Sequence, residues 1–471
     1  MQNRAIDVHC HFFNLSFAFA EVLEIGWRWI QGDYPYKSDK RGLPIVIIPP
    51  ELWKLAHYVA SYFAAATESP EEHYAYEERC CLKSQWHLSE LLITVPLMMD
   101  IFFMFDHGDT EAQKAVIPAL PDVRQRDALN VMTITEDNAN TFNKLAQIIK
   151  AEFIPVYEKS ISARGLAPTW TAKNRTAISR DLDLVIVDFK AGDAAEGVRT
   201  MAKSCTQTNV QMTRGYRQHL LELQNLQRDN PDTVLPFLAV DPRRVGIEKL
   251  VREQVVEGTF KGVKLYPPLG YLPTHPNLYP VYRLCVEHNL PVTVHTSTGG
   301  LLSLCDTIKT QSQKKNGKIV PVTFDKKTSQ SAALFFSNPA NWLEILENPE
   351  FSELHLNFAH FGGEEHISTL ANQKPGKLDD PKNWTGQIIG LMKRFKNVYA
   401  DISYCPNNEM LKYIRNIVAR YKIVQKRLMF GSDYIMVMKE STLCGNLDNY
   451  FNLYTDIYPE MLTVNPAAFL G

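Results

Sequence analysis

Several signals that would narrow the reading at once are absent from this chain. Charge of one sign is the first: 50 basic side chains stand against 52 acidic ones, a formal net charge of -2. That balance gives no electrostatic case for nucleic acid or for an acidic membrane surface. A long apolar run is the second. The stretch Leu91–Phe105 is interrupted by Asp100 and is too short to span a bilayer. A basic segment followed by an apolar run is also missing from the first residues, so no signal peptide is expected. The eight cysteines are scattered, and none forms a C-x-x-C pair. A zinc ribbon or a disulfide framework is therefore not expected. Buried free thiols in a reducing compartment fit better, so the protein is expected to be soluble and cytoplasmic. No fixed-period repeat or low-complexity tract is present.

What is present is an alternation of helical patterns and short apolar strands. From Arg214 onward, strands are expected at Val234–Val240, Gly262–Tyr266, Pro291–His295, Leu354–His360, Val398–Ile402 and Arg427–Phe430, each preceded by a helix. Strict alternation implies parallel strands joined by crossovers. Two earlier strands, Ile6–His11 and Leu91–Asp100, bring the count to eight. Eight is the number for a closed (β/α)8 TIM barrel, an α/β fold. A doubly wound open sheet is the alternative, but no Gly-rich phosphate turn follows any of these strands. The chain is read as a single barrel domain over 1–471, with large insertions after the first and second strands at about 14–90 and 106–212. The first insertion is expected to hold a helix over Glu51–Ala66, another starting near Pro70, and an aromatic loop with Trp27 and Trp29. That loop is either a wall of a substrate pocket or a solvent-side elaboration. In the second insertion a helix is expected over Ala139–Glu158 and a strand over Leu182–Val187.

Side chains alternate across a strand, which places Asp7, His9 and His11 on one face and Val8 and Cys10 on the other. Two imidazoles two residues apart can meet one metal ion, or be a coincidence. The other strand ends supply more candidates: His295 ends the fifth, His360 ends the sixth, and Asp433 follows the eighth. Barrel active sites lie at the C-terminal face where these ends converge. Packing alone does not explain five metal-competent side chains there. Lys264 alternates with Gly262 and Tyr266 and is expected to point into the barrel, as a substrate contact or as half of a salt bridge. Asp7 is either an orienting partner for a ligand or a charge paired inside the barrel. His219 and His288 are expected at surface positions on helices, and His366 near the pocket.

These pieces resemble the amidohydrolase superfamily, in the branch of aminocarboxymuconate-semialdehyde decarboxylase and related barrel hydrolases. The matching segments are Asp7-Val8-His9-Cys10-His11, Gly262 to Pro267, Val294-His295, His360-Phe361-Gly362-Gly363, Gly431-Ser432-Asp433-Tyr434 and Asn465 to Gly471. The resemblance implies one divalent metal ion, zinc by preference, held by His9, His11, His295 and Asp433 with a bound water. It also implies catalytic roles for His360 and Asp433, with Lys264 and Tyr266 at the substrate. Some superfamily members carboxylate a fourth-strand lysine to bridge two metals; the branch resembled here usually uses one. The expected activity is hydrolysis of a C–N or C–O bond in a small, anionic substrate. The alternatives are non-oxidative decarboxylation, with Lys264 or Arg28 seating the carboxylate, and a catalytically silent binding barrel. No nucleic-acid or membrane partner is expected, and the oligomeric state stays open.

Overall fold

The computed structural model describes residues 4–31, 56–60, 70–83, 92–105, 136–163, 178–187, 212–329, 331–373, 382–405, 407–437, 443–454 and 460–471. The chain divides into two compact units. One comprises Met1–Phe12, Pro70–Asp109 and Leu223–Gly471; the other comprises Phe13–Ser69 and Thr110–Glu222.

The first unit contains the barrel. Its strands are β1 (Ile6–Cys10), β2 (Ile93–Pro96), β3 (Phe237–Val240), β4 (Gly262–Leu265) and β5 (Val292–His295). A hairpin of β6 (Thr307–Gln313) and β7 (Ile319–Asp325) follows, and then β8 (Leu356–Ala359), β9 (Val398–Asp401) and β10 (Leu428–Met429). Six parallel strands pair in the order β10-β9-β8-β5-β4-β3, and β1 pairs with β2. Parallel bridges Thr94–Val234 and Leu97–Phe237 join β2 to β3. The ring closes where Val8 N donates to Phe430 O at 3.1 Å and Asp433 N donates to His9 O at 2.7 Å. Eight parallel strands thus form a TIM barrel.

Every barrel strand is fully buried, because helices cover the outside while side chains fill the inside. Ile6, Val8, Ile93, Val95, Leu97, Leu235, Phe237, Tyr399 and Met429 form one apolar cluster with Phe469. Phe469 lies on the C-terminal helix Asn465–Leu470. Its carbonyl accepts from Nδ1 of His355, the residue just before β8, at 2.9 Å. The cluster is therefore the floor of the barrel, at the N-terminal ends of the strands. Asparagine caps start two of the covering helices: Asn383 accepts from Gly386 N, and Asn407 from Met410 N. Such caps stabilise a helix by about 1 kcal/mol.

The face assignment for β1 changes. Asp7 pairs with Thr94 while Cys10 pairs with Pro96, so β1 carries one extra residue. That is a β-bulge. It keeps Val8 with Ile6 in the floor cluster while turning His9 and His11 toward the mouth. Asp7 does not share their face. It groups instead with Cys10 and with Glu77 of the helix Pro70–Lys83.

Further expectations are corrected. Cys80 and Cys444 form a disulfide with Cα atoms 4.7 Å apart, which removes the argument from free thiols to a reducing compartment. The hairpin β6–β7 was not expected. The Asn316-Gly317 step at its turn, with Gly317 at φ 80°, is the signal that marks it. Its two strands pair in antiparallel register from Thr307–Asp325 to Gln313–Ile319.

In the second unit, residues 178–187 are helical and not a strand. Ile178, Leu182, Val185 and Ile186 are buried while Leu184 and Val187 are exposed, a helical period. Trp27 lies in the helix Leu15–Gln31 and packs edge-on against Phe142 of the helix Glu136–Ala163, so it belongs to no loop. His219 is buried beside Phe13 and Phe17 and is not at the surface. Residues 56–60 of the helix expected at Glu51–Ala66 are helical; the rest of that segment lies outside the described residues, as does the side chain of Arg28. Among the described residues, no helix is long and apolar enough to cross a membrane.

Candidate metal centre at the barrel mouth

His9, His11 and Asp433 converge at the C-terminal end of the barrel, with one ligand atom of each within 4.8 Å of the others. The backbone explains why. The bulge in β1 aims both imidazoles inward. Asp7 Oδ1 accepts from His9 N and from Ser432 N, both at 3.0 Å, and so ties the first strand to the loop after the last. Asp433 sits in that loop at φ 45°, a left-handed conformation held by its own N–H bond to His9 O.

The protein sets the tautomers of both imidazoles. His11 Nδ1 donates to the Leu97 carbonyl at 2.7 Å, so its Nε2 carries the lone pair. That Nε2 is 3.7 Å from Asp433 Oδ1. His9 Nδ1 faces Asp401 Oδ2 at 3.2 Å and Ser403 Oγ at 2.9 Å. His9 Nε2 is buried and has no hydrogen-bond partner among the described residues.

His295 and His360 form a second pair beside this cluster. His360 Nε2 lies 3.1 Å from His295 Nδ1, and the other nitrogen of His295 lies 3.0 Å from the Gly299 carbonyl. A carbonyl only accepts, so His295 Nε2 is protonated. Its Nδ1 then accepts from His360 Nε2–H, and His360 Nδ1 lies 2.8 Å from Ser403 Oγ and 3.4 Å from the Ser403 carbonyl. Tyr266 stacks on the His295 ring at 4.3 Å, and its hydroxyl accepts from Leu301 N. The structure thus groups His9, His11 and Asp433, and joins His295 to His360 and Tyr266.

Burial lowers the affinity of all four imidazoles for a second proton. It takes His360 down to about 3, and His11 and His295 well below the ordinary range. His9 is lowered as well, although Asp401 opposes the shift. Neutral rings are the state a metal ligand needs. Burial alone would raise the Asp401 carboxyl; the charge and hydrogen bond of His9, then His360 and Ser403, hold it well below the usual carboxylate range. Burial brings Lys264 down to about 8, against the pull of Asp401 and Asp433. Its Nζ is buried without a hydrogen-bond partner among the described residues, 6.0 Å from the centre of the Tyr266 ring.

The strand-end reading passed over Asp401, Ser403 and Asn357. Asp401 ends β9 as His295 ends β5, and that position was the available signal. Glu77 was also missed, because only the fold brings its helix to β1. His366 stacks on Trp384 with ring centres 5.0 Å apart.

The amidohydrolase family profile matches residues 185–469. No curated protein sequence matches the chain. Among solved structures, the apo IDCase of Metarhizium anisopliae is similar over 99% of this chain and 97% of its own, at 10% identity and a TM-score of 0.41. A 5-carboxyvanillate decarboxylase from Novosphingobium aromaticivorans, complexed with manganese, is similar over 72% of this chain and 94% of its own, at 13% identity and a TM-score of 0.34. An uncharacterized TIM-barrel protein from Bordetella bronchiseptica covers 53% and 71% at 17% identity and a TM-score of 0.36. These structural likenesses are too distant to bear on substrate. The family match spans more than half of the chain, which therefore belongs to the amidohydrolase family and is an enzyme of it.

Proposed function

We propose that the chain is a metal-dependent, non-oxidative decarboxylase of a small carboxylated substrate. Lys264 carries this reading. A buried ammonium without a hydrogen-bonding partner is costly, and an anionic substrate group would offset that cost. Asp401 and Asp433 oppose the loss of the Lys264 proton that burial favours.

The residues fit a divalent cation. His9 Nε2 is an orphaned buried acceptor, His11 presents Nε2, and Asp433 supplies a carboxylate. Two imidazoles and a carboxylate suit zinc, the ion we propose, and also other borderline metals. His295 is the fourth proposed ligand. Both of its ring nitrogens already have partners, so ligation would exchange one of those bonds. When bound, the cation supplies positive charge that stabilises negative charge developing on the substrate's oxygens.

The chain's own groups do the rest. Lys264 seats the carboxylate that leaves as CO2, and Tyr266 walls the same side. The C–C bond breaks with its electron pair left on the substrate carbon. That carbon then takes a proton from a water molecule, relayed by the Asp433 carboxylate, and the hydroxide left behind combines with the CO2 as bicarbonate. His360 stays neutral, and the substrate would replace His295 Nδ1 as the acceptor of its Nε2–H, so it donates a hydrogen bond and does not act as a charged acid.

Hydrolysis is the second reading. The Asp433 carboxylate beside His11 is placed to take a proton from a water and pass it to a leaving group. Purified, zinc-supplemented protein offered carboxylated aromatics, lactones and N-acyl compounds separates the two. CO2 release without acid release supports decarboxylation; acid release from lactones or amides alone overturns it.

A further inference from the structure

Two functional imidazoles depend on one carboxylate that the metal-ligand pattern does not include. We propose that Asp401 is a positioning residue that acts on His9 and His360 together. It holds the His9 proton on Nδ1, so that the Nε2 lone pair faces the cluster, and it pins the backbone of His360.

The contacts are one-sided. Asp401 Oδ1 accepts from His360 N and Ser403 N, both at 3.1 Å, and from the Ser403 hydroxyl. Its Oδ2 accepts from Asn357 Nδ2 at 2.7 Å and faces His9 Nδ1 at 3.2 Å. Two of these donors are backbone N–H groups, whose direction is fixed. A carboxylate with donors on both oxygens orients its neighbours and has little left for a cation. Asp401 does fall within one potential ligand group, with His9 and His360. A cation there would meet donor hydrogens around both oxygens.

His360 needs the support because its φ is 63° and that of Phe361 is 48°, both in the left-handed region that residues other than glycine seldom adopt. Asp401 Oδ1 takes the N–H exposed by that turn. It also takes a hydrogen bond from Ser403, whose Oγ lies 2.8 Å from His360 Nδ1. One carboxylate thus connects β9 to the side chain of β1 and to the backbone just after β8. Carboxylates behind metal-bound histidines commonly set ring tautomer in this way.

The consequence for metal rests on the reading above; the tautomer does not. In full-length protein with 15N-labelled histidine, His9 is expected to carry its proton on Nδ1, its resonance identified by loss in His9→Gln. Asp401→Asn should abolish that preference and Ser403→Ala should keep it. Protonation on Nε2 in the wild type overturns the proposal, whether or not a variant folds. So does the reverse pattern, in which the hydroxyl and not the carboxylate sets the ring. Zinc affinity, measured by chelator competition, should fall about 10- to 100-fold in Asp401→Asn, with one equivalent still bound at saturation. Unchanged affinity overturns the proposal, and so does a loss as complete as in His11→Ala, which would make Asp401 a ligand. If the wild type binds no divalent ion, the metal reading fails, while the tautomer result still decides the role of Asp401.

Discussion

The floor and the mouth of this barrel are built from the same strands under opposite rules. At the floor, Ile6, Val8, Val95, Phe237, Met429 and Phe469 pack without a polar partner among them, and many apolar combinations would fill that volume. At the mouth, a few residues further along the same strands, His9, His11, Lys264, His295, His360, Asp401 and Asp433 are titratable and buried. There the backbone bends to serve them: His360, Phe361, Tyr404 and Asp433 all take positive φ. Stability is concentrated where substitution is tolerated best, and strain where chemistry is proposed. The bulge in β1 is the junction, since it lets Val8 stay with the floor while His9 turns to the mouth.

This contrast can be broken or sharpened by substitution. The largest effect on activity is expected from His11→Ala, which removes a proposed ligand. Zinc affinity should fall by more than the ~100-fold typical of an outer partner, and turnover should vanish, with little change in the unfolding midpoint of metal-free protein. Chelator competition, activity assay and thermal melting together check it. A large loss of apo stability would mean that the mouth is structural after all.

Next is Phe469→Ala at the floor. It should cost about 3–5 kcal/mol in denaturant unfolding, while the protein that remains folded binds zinc with wild-type affinity. A change in affinity would show that floor and mouth are coupled. Metal depletion should destabilise the wild type by about 3 kcal/mol relative to zinc at 100 times Kd, seen as a lower melting temperature, and His11→Ala should lack that response. The smallest expected effect on stability is that of Lys264→Met. Removing the orphaned charge should leave stability equal or raise it by about 1 kcal/mol, while turnover of carboxylated substrates is lost. Destabilisation together with retained turnover would return Lys264 to a structural role.

Much of the barrel is legible in the sequence because its strands are short apolar runs between amphipathic helices. Val292-Thr293-Val294-His295 and Val398-Tyr399-Ala400-Asp401 both stand out in this way. The segment 182–187 misleads because Leu-Asp-Leu-Val-Ile-Val satisfies a buried-strand pattern as well as one face of a helix. The hairpin carries a legible turn signal in Asn316-Gly317. The Cys80–Cys444 bond carries none, since 364 residues separate its ends and no spacing rule applies.

For the site, strand periodicity alone points to the available residues: His9, His11, His295, His360 and Asp433, each at or just past the end of a barrel strand. The hydrophobic alternation that makes a strand also counts its ends, which is why those positions could be read. How they group follows from the closed barrel. It moved Asp7 off the histidine face through one extra residue in β1, paired His295 with His360, and set Asp401 behind His9 across 392 residues of chain. A bulge is a property of two paired strands, and a hydrogen bond between β1 and β9 exists only once the ring has closed; neither leaves a period in the sequence.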